Sequence, residues 1–145
     1  MKPLVVITGA SSGIGLACAK YFSKKGFPLL ILARRKEILD NLDLPNTLTA
    51  KVDVRNFEEL NQAIKKAEQV YEPVNLLINN AGIMPMDQYV EQSLEDKYNT
   101  LDVNVKGVIN GMDAVLPSML KQNHGTIVNI SSVAGGYTYD DHSIL

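Results

Sequence analysis

Tryptophan is absent and cysteine occurs once among the 145 residues. A lone cysteine, Cys18, forms no internal disulfide, so no covalent cross-link supports the fold. An excess of one sign of charge is also missing: 14 Lys and Arg stand against 16 Asp and Glu, for a formal net charge of −2. That balance leaves no electrostatic footprint for nucleic acid or for an anionic membrane. No apolar run approaches the roughly 20 residues that span a bilayer as a helix. Only Leu4-Val5-Val6-Ile7 follow Met1-Lys2-Pro3 before the chain turns polar, too short a stretch for a secretory signal. These absences predict a cytoplasmic chain with no nucleic-acid and no membrane partner. What remains is ordinary for a globular protein, with 46% hydrophobic and 21% charged residues. A chain of this length suits a single domain, residues 1–145, able to bury about two-thirds of its unfolded surface.

The sequence is organised around residues 4–15. Leu4-Val5-Val6-Ile7 is apolar without alternation, the mark of a strand covered on both faces and hence of a parallel sheet. Thr8-Gly9-Ala10-Ser11-Ser12-Gly13-Ile14-Gly15 follows at once, and a helical pattern begins at Leu16. Strand, glycine turn and helix together make a phosphate site. Backbone N–H groups at the helix start point at the anion, the helix dipole adds partial positive charge, and glycine permits close approach. Gly9, Gly13 and Gly15 are spaced G-x-x-x-G-x-G, which differs from the common dinucleotide fingerprint. Ile14, Cys18 and Phe22 share one helical face, which predicts Cys18 as a small core residue.

Gly26 closes the first helix, and Phe27-Pro28-Leu29-Leu30-Ile31-Leu32 reads as a second buried strand. In dinucleotide sites an acidic residue some 20 positions past the glycine turn binds the ribose 2′-hydroxyl, whereas an arginine there accommodates a 2′-phosphate. Positions 31–36 hold no Asp or Glu but do hold Arg34 and Arg35. The offset favours NADP(H) over NAD(H); the plain alternative is a solvated charge pair opening a helix. Ile38, Leu39 and Leu42 mark a short helix that Pro45-Asn46 breaks, and Thr47 to Val52 form a less apolar, edge-like strand. Asn56 with Glu59 reads as a helix cap and its reciprocal partner, with Phe57, Leu60, Ile64, Ala67 and Tyr71 on the inner face. Val74 to Ile78 is a fourth strand, and Gly125 to Ile130 contains a fifth. Between them a long helix is expected to turn Leu94, Tyr98, Leu101, Val105, Val108, Met112, Val115 and Met119 to one side, with Pro117 kinking or ending it. Strands alternating with helices imply right-handed βαβ units. The fold class is therefore α/β, a Rossmann-type doubly wound parallel sheet of about five strands in the order 3-2-1-4-5.

In this order and context the motifs resemble the N-terminal part of a short-chain dehydrogenase/reductase, from Leu4 to about Gly135. The resemblance implies a cofactor loop through Gly9, Ser11, Ser12, Gly13, Ile14 and Gly15, with Arg34 and Arg35 at the 2′-phosphate. It implies that Asp53 and Val54 contact adenine and that Asn80, Ala81 and Gly82, within Asn79-Asn80-Ala81-Gly82, line the cofactor ribose. Asn104 corresponds to a helix asparagine that orders a water in the proton relay, and Ser132 to the serine that hydrogen-bonds the substrate oxygen. The implied activity is hydride transfer between NADP(H) and a small-molecule alcohol or carbonyl, in a homo-oligomer, with no metal.

The family places its acid/base as Tyr-x-x-x-Lys about thirteen residues beyond the serine, in hydrogen-bond reach of the same oxygen. That count from Ser132 arrives at Leu145, while Tyr137 and Tyr139 fall too near Ser132 and are followed four residues on by Asp141 and Ser143. No Tyr-x-x-x-Lys follows Ser132. Relative to the family the sequence reads as truncated, and two other readings stay open: a dinucleotide-binding protein without catalysis, and a non-functional remnant.

Overall fold

The computed structural model describes residues 2–136. Five parallel strands, β1 (Leu4–Thr8), β2 (Leu29–Ala33), β3 (Thr47–Lys51), β4 (Val74–Asn79) and β5 (Thr126–Asn129), form one sheet in the order 3-2-1-4-5. Helices α1 (Gly13–Lys24), α2 (Lys36–Asp40), α3 (Phe57–Val70), α4 (Leu94–Leu101) and α5 (Gly107–Gln122) connect them, with a π-helical segment, Asp102–Lys106, between the last two. The register sets Val5 beside Leu29 and Leu76, and Ile7 beside Ile31 and Ile78.

Side chains alternate across a strand, and β1 feeds two cores in that way. Leu4 and Val6 pack with Leu60, Ile64, Val115 and Met119 on the α3/α5 side. Val5 and Ile7 pack with Ala19, Ile31 and Leu39 on the α1/α2 side. Both faces are covered, which is why the strand reads as unbroken apolar sequence. Cys18 is half-buried against the second core, beside Phe22; Ile14 departs from the expected face and is 57% exposed.

At α3 the Asn56 side chain accepts the Glu59 N–H at 3.2 Å. The reciprocal bond is redirected: the Glu59 carboxylate accepts the Asp53 N–H at 3.0 Å. One expectation for the long helix is corrected and another is narrowed. Leu94, Tyr98, Leu101 and Val105 are exposed, whereas Thr100, Val103, Gly107, Gly111, Ala114, Val115 and Met119 turn inward. Small residues lie against the sheet because the backbone comes close. A Cβ on Gly107 would stand 2.6 Å from Val54 Cγ2, and one on Gly111 would overlap the Asn79 amide. The π-helical segment also shifts the phase, since Gly107 N–H bonds to Asp102 O, five residues back. Pro117 does not end α5, which continues to Gln122 and stops at Asn123 in a left-handed conformation. Pro117 and Asp113 both lie on the exposed side, so the carbonyl left without its N–H partner is not sealed in the core.

Candidate functional site

The glycine turn is fastened to the end of β4 through Thr8. Its Oγ1 accepts the N–H groups of Asn80 and Ala81, each at 3.0 Å. The Asn80 amide donates back to Thr8 O at 3.2 Å and Gly9 O at 3.1 Å. This leaves no room beneath the turn. A Cβ on Gly15 would overlap Gly9 O and the Asn80 amide, and one on Gly9 would lie 2.8 Å from Ala81 Cα. Gly13, at φ +54°, has nothing within 4 Å of where its Cβ would stand. No side chain caps α1 at Ser12, and its first turn carries no acid. The leading N–H groups of a well-formed helix therefore open onto free space, as an anion site requires.

That space is a cleft of about 350 Å³ along the carboxyl ends of β1 to β4. Gly9, Ser11, Ser12, Gly13 and Ile14 form its floor, Arg34 and Arg35 stand past β2, Asp53 and Val54 past β3, and Asn80, Ala81 and Gly82 past β4. Of the sequence-predicted cofactor residues, Gly15 alone does not line it; Gly15 is buried under the turn instead. Leu32, Ala33, Val52, Ile83 and Val103 complete the wall without having been singled out in the sequence. The first three are strand-end positions whose apolar character reads only as core.

Arg34 and Arg35 are exposed, and among the described residues neither enters an ion pair. Lys36 beside them is occupied, with Nζ at 2.7 and 2.8 Å from the Asp40 carboxylate. Asp53 is held by Arg55: Nε lies 3.0 Å from both carboxylate oxygens, Nη2 is 2.5 Å from Oδ2, and the Arg55 N–H reaches Oδ1 at 3.0 Å. These bonds hold the Asp53 carboxyl below the usual carboxylate range against the opposing effect of burial, and the charge of Arg34 adds to them. The residues fit a phosphorylated dinucleotide, with an uncapped helix start for a pyrophosphate and unpaired guanidinium groups for a further phosphate.

A second cleft of about 450 Å³ shares Ile14 and residues 80–83 with the first and extends to Met84, Asn104, Val108, Ile130, Ser131 and Ser132. It thus brings Ser132 and Asn104 to one place. Ser132 is exposed, and its Oγ accepts the Ala134 N–H at 3.1 Å, leaving its own hydrogen for a substrate oxygen. The Asn104 amide is engaged at both ends by one residue: Oδ1 accepts Ile83 N–H and Nδ2 donates to Ile83 O, each at 2.8 Å. Its side chain thus fixes the strand-to-loop turn after Gly82. Asn79, by contrast, points inward, donating to Asn129 Oδ1 at 2.9 Å and tying β4 to β5. Among the described residues, none that borders the second cleft titrates near neutrality. One Tyr-x-x-x-Lys spacing does occur, at Tyr21 and Lys25. It lies on the exposed end of α1 and borders neither cleft. Tyr137, Tyr139 and Leu145 lie outside the described residues. Among the described residues no group of three or more His, Cys, Asp or Glu side chains is placed to hold a metal ion, and no helix is long and apolar enough to cross a membrane.

A family model described as short chain dehydrogenase matches residues 3–144. The chain belongs to the short-chain dehydrogenases. Among similar members, an uncharacterized oxidoreductase of Staphylococcus saprophyticus is 39% identical over 97% of this chain and 59% of its own length. Oxidoreductase UcpA of Salmonella typhimurium is 38% identical over 93% of this chain and 53% of its own. This short-chain dehydrogenase sequence therefore spans little more than half the length of the relatives it matches. Of solved structures, serine dehydrogenase from Escherichia coli superposes with a TM-score of 0.87 at 33% identity, covering 95% of this chain and 66% of that one. A closed form of serine dehydrogenase complexed with NADP+ gives 0.88 at 33% identity, covering 95% and 57%.

Proposed function

We propose that the chain binds NADP(H) along the carboxyl ends of β1 to β4 and forms the cofactor-binding part of an oxidoreductase acting on an alcohol or carbonyl. The observation that carries the cofactor choice is the pair Arg34 and Arg35. They border the cleft, carry no ion pair among the described residues, and no Asp or Glu occupies positions 31–36. The similar serine dehydrogenase complexed with NADP+ supports it. In this reading the first turn of α1, with Ser11 and Ser12, binds the pyrophosphate, and Arg34 with Arg35 takes the 2′-phosphate. Asp53 and Val54 face adenine, and Asn80, Ala81 and Gly82 line the ribose. When bound, the nicotinamide supplies or accepts the hydride. Ser132 orients the substrate oxygen by donating its hydroxyl hydrogen. Asn104 acts by holding Ile83, which forms the wall shared by both clefts. The proton requires a group other than these, since neither a serine hydroxyl nor an amide exchanges one readily at neutral pH.

The presence of Ser132 and Asn104 at one cleft favours an enzyme over a pure dinucleotide-binding module, which needs neither. We further propose self-association. Leu94, Tyr98, Leu101, Val105, Ile109, Leu116 and Leu120 are exposed at helical spacing, and among the described residues no strand pairs with the outer edge of β5.

An arginine–phosphate bond is worth about 1.5–3 kcal/mol, or roughly ten- to hundredfold in affinity. Fluorescence titration at matched ionic strength should show NADPH bound more tightly than NADH, and Arg34→Asp should reverse the order. Equal affinities in the unmodified protein would overturn the cofactor assignment.

A further inference from the structure

Arg55 is a charged side chain near the adenosine end of the cleft to which the proposed function gives no task. It does not line that cleft; it stands behind Asp53, facing α4. Its guanidinium is held on two edges. One edge forks the Asp53 carboxylate through Nε and Nη2, and on the other Nη1 donates to Asn99 Oδ1 at 2.6 Å. A planar guanidinium fixed in this way cannot swing to follow a ligand. Asp102 adds a further negative charge on its far side, and Glu59 sits at the Asp53 N–H. Arg55 is thus the cation bonded to the Asp53 carboxylate.

Asp53 and Arg34 border the same cleft and feel each other's charge. An unheld Asp53 carboxylate would do two things, both unfavourable to a 2′-phosphate. It would draw Arg34 into an ion pair, and it would repel the phosphate. Resting on the NADP(H) reading, we propose that Arg55 is a positioning residue for cofactor specificity: it holds the Asp53 carboxylate so that Arg34 stays free for the 2′-phosphate. Arg55 acts through Asp53 and does not touch the phosphate. That sets it apart from Arg34, whose effect is direct.

The test is a double-mutant cycle on the full 145-residue chain, reading NADPH and NADH affinity by fluorescence titration. Carboxylate–phosphate repulsion through a solvent-rich cleft predicts that Arg55→Ala weakens NADPH by about three- to tenfold. NADH should change by less than about twofold, the margin within which independent effects add. Arg55→Gln, which keeps a donor toward Asn99, should give the same shift and guards against a folding defect in the alanine variant. Asp53→Asn combined with Arg55→Ala should restore the NADPH preference, an outcome that a merely structural Arg55 would not produce. An unchanged preference in both Arg55 variants would refute the inference, as would equal losses for the two cofactors. A double variant as impaired as Arg55→Ala would refute it too. If the unmodified protein shows no NADPH preference, the cofactor reading fails and this inference falls with it. A wild-type preference that survives loss of Arg55 defeats the inference alone.

Discussion

Gly15→Ala separates a packing requirement from a binding one, because Gly15 lies under the phosphate turn and not on its surface. Alanine in a helix is normally favoured over glycine by about 0.5–1 kcal/mol. Here the new Cβ would overlap Gly9 O and the Asn80 amide and stand 2.9 Å from Gly9 C. Neither neighbour yields easily. Gly9 is backbone, and the Asn80 amide is already spent on Thr8 O and Gly9 O. Overpacking of this kind costs about 1–3 kcal/mol, so the propensity gain is cancelled and the substitution should destabilise by up to about 2 kcal/mol. Relief requires moving the turn away from β4, which misaims the N–H groups of the first turn of α1. NADPH affinity should therefore fall by more than about tenfold, the equivalent of 1.4 kcal/mol. Gly13→Ala is the comparison. Its Cβ meets open space, and the cost is the left-handed φ of +54°, about 1–2 kcal/mol. Denaturant melts should show both variants destabilised, with the turn displaced in Gly15→Ala alone. A Gly15→Ala protein as stable as the parent and equally tight for NADPH would refute the packing argument.

Asn104→Ala removes two bonds to Ile83, each worth a net 0.5–1.5 kcal/mol, and should lower stability by about 1–3 kcal/mol in denaturant melts; an unchanged midpoint would contradict this. The exposed helix stripe should drive self-association, which Tyr98→Glu with Leu101→Lys should reduce without lowering the melting temperature. Light scattering that shows the parent protein as a clean monomer at high concentration would count against it. Because the folded Asp53 carboxyl titrates below its usual range, its contribution to stability is complete above about pH 4 and is lost as pH falls through the folded value. Asp53→Asn should accordingly make the acid limb of the stability profile shallower, and an identical limb would show that the Arg55 pair contributes nothing there.

The sheet was readable from β1, β2 and β4 because strands covered on both faces need continuous apolar sequence, and that run length differs from any helical pattern. The cleft residues were readable at Gly9 and Gly13 because left-handed backbone turns restrict the choice of residue. Legibility ended where spacing in sequence stops determining phase. The inner face of α4 and α5 depends on a π-helical segment and on how closely Gly107 and Gly111 approach Val54 and Asn79. Large apolar residues therefore misled, since the small ones face the sheet. Arg55 went unnoticed because its fork on Asp53 is closed by a turn and by Asn99, 44 residues away. Ile14 sits at a core-like position on α1 yet opens into the cleft, because the first turn of that helix lies just beyond the carboxyl end of β1, where both clefts open.

The most direct test of the account is backbone amide NMR of the chain titrated with NADP+. Chemical-shift changes should concentrate at Gly9, Ser11 to Gly15, Arg34, Arg35, Asp53, Val54 and Asn80 to Gly82, with those at Arg34 and Arg35 reduced when NAD+ is used instead. Shifts confined to other surfaces, or none at saturating NADP+, would contradict the assignment of this cleft as the dinucleotide site.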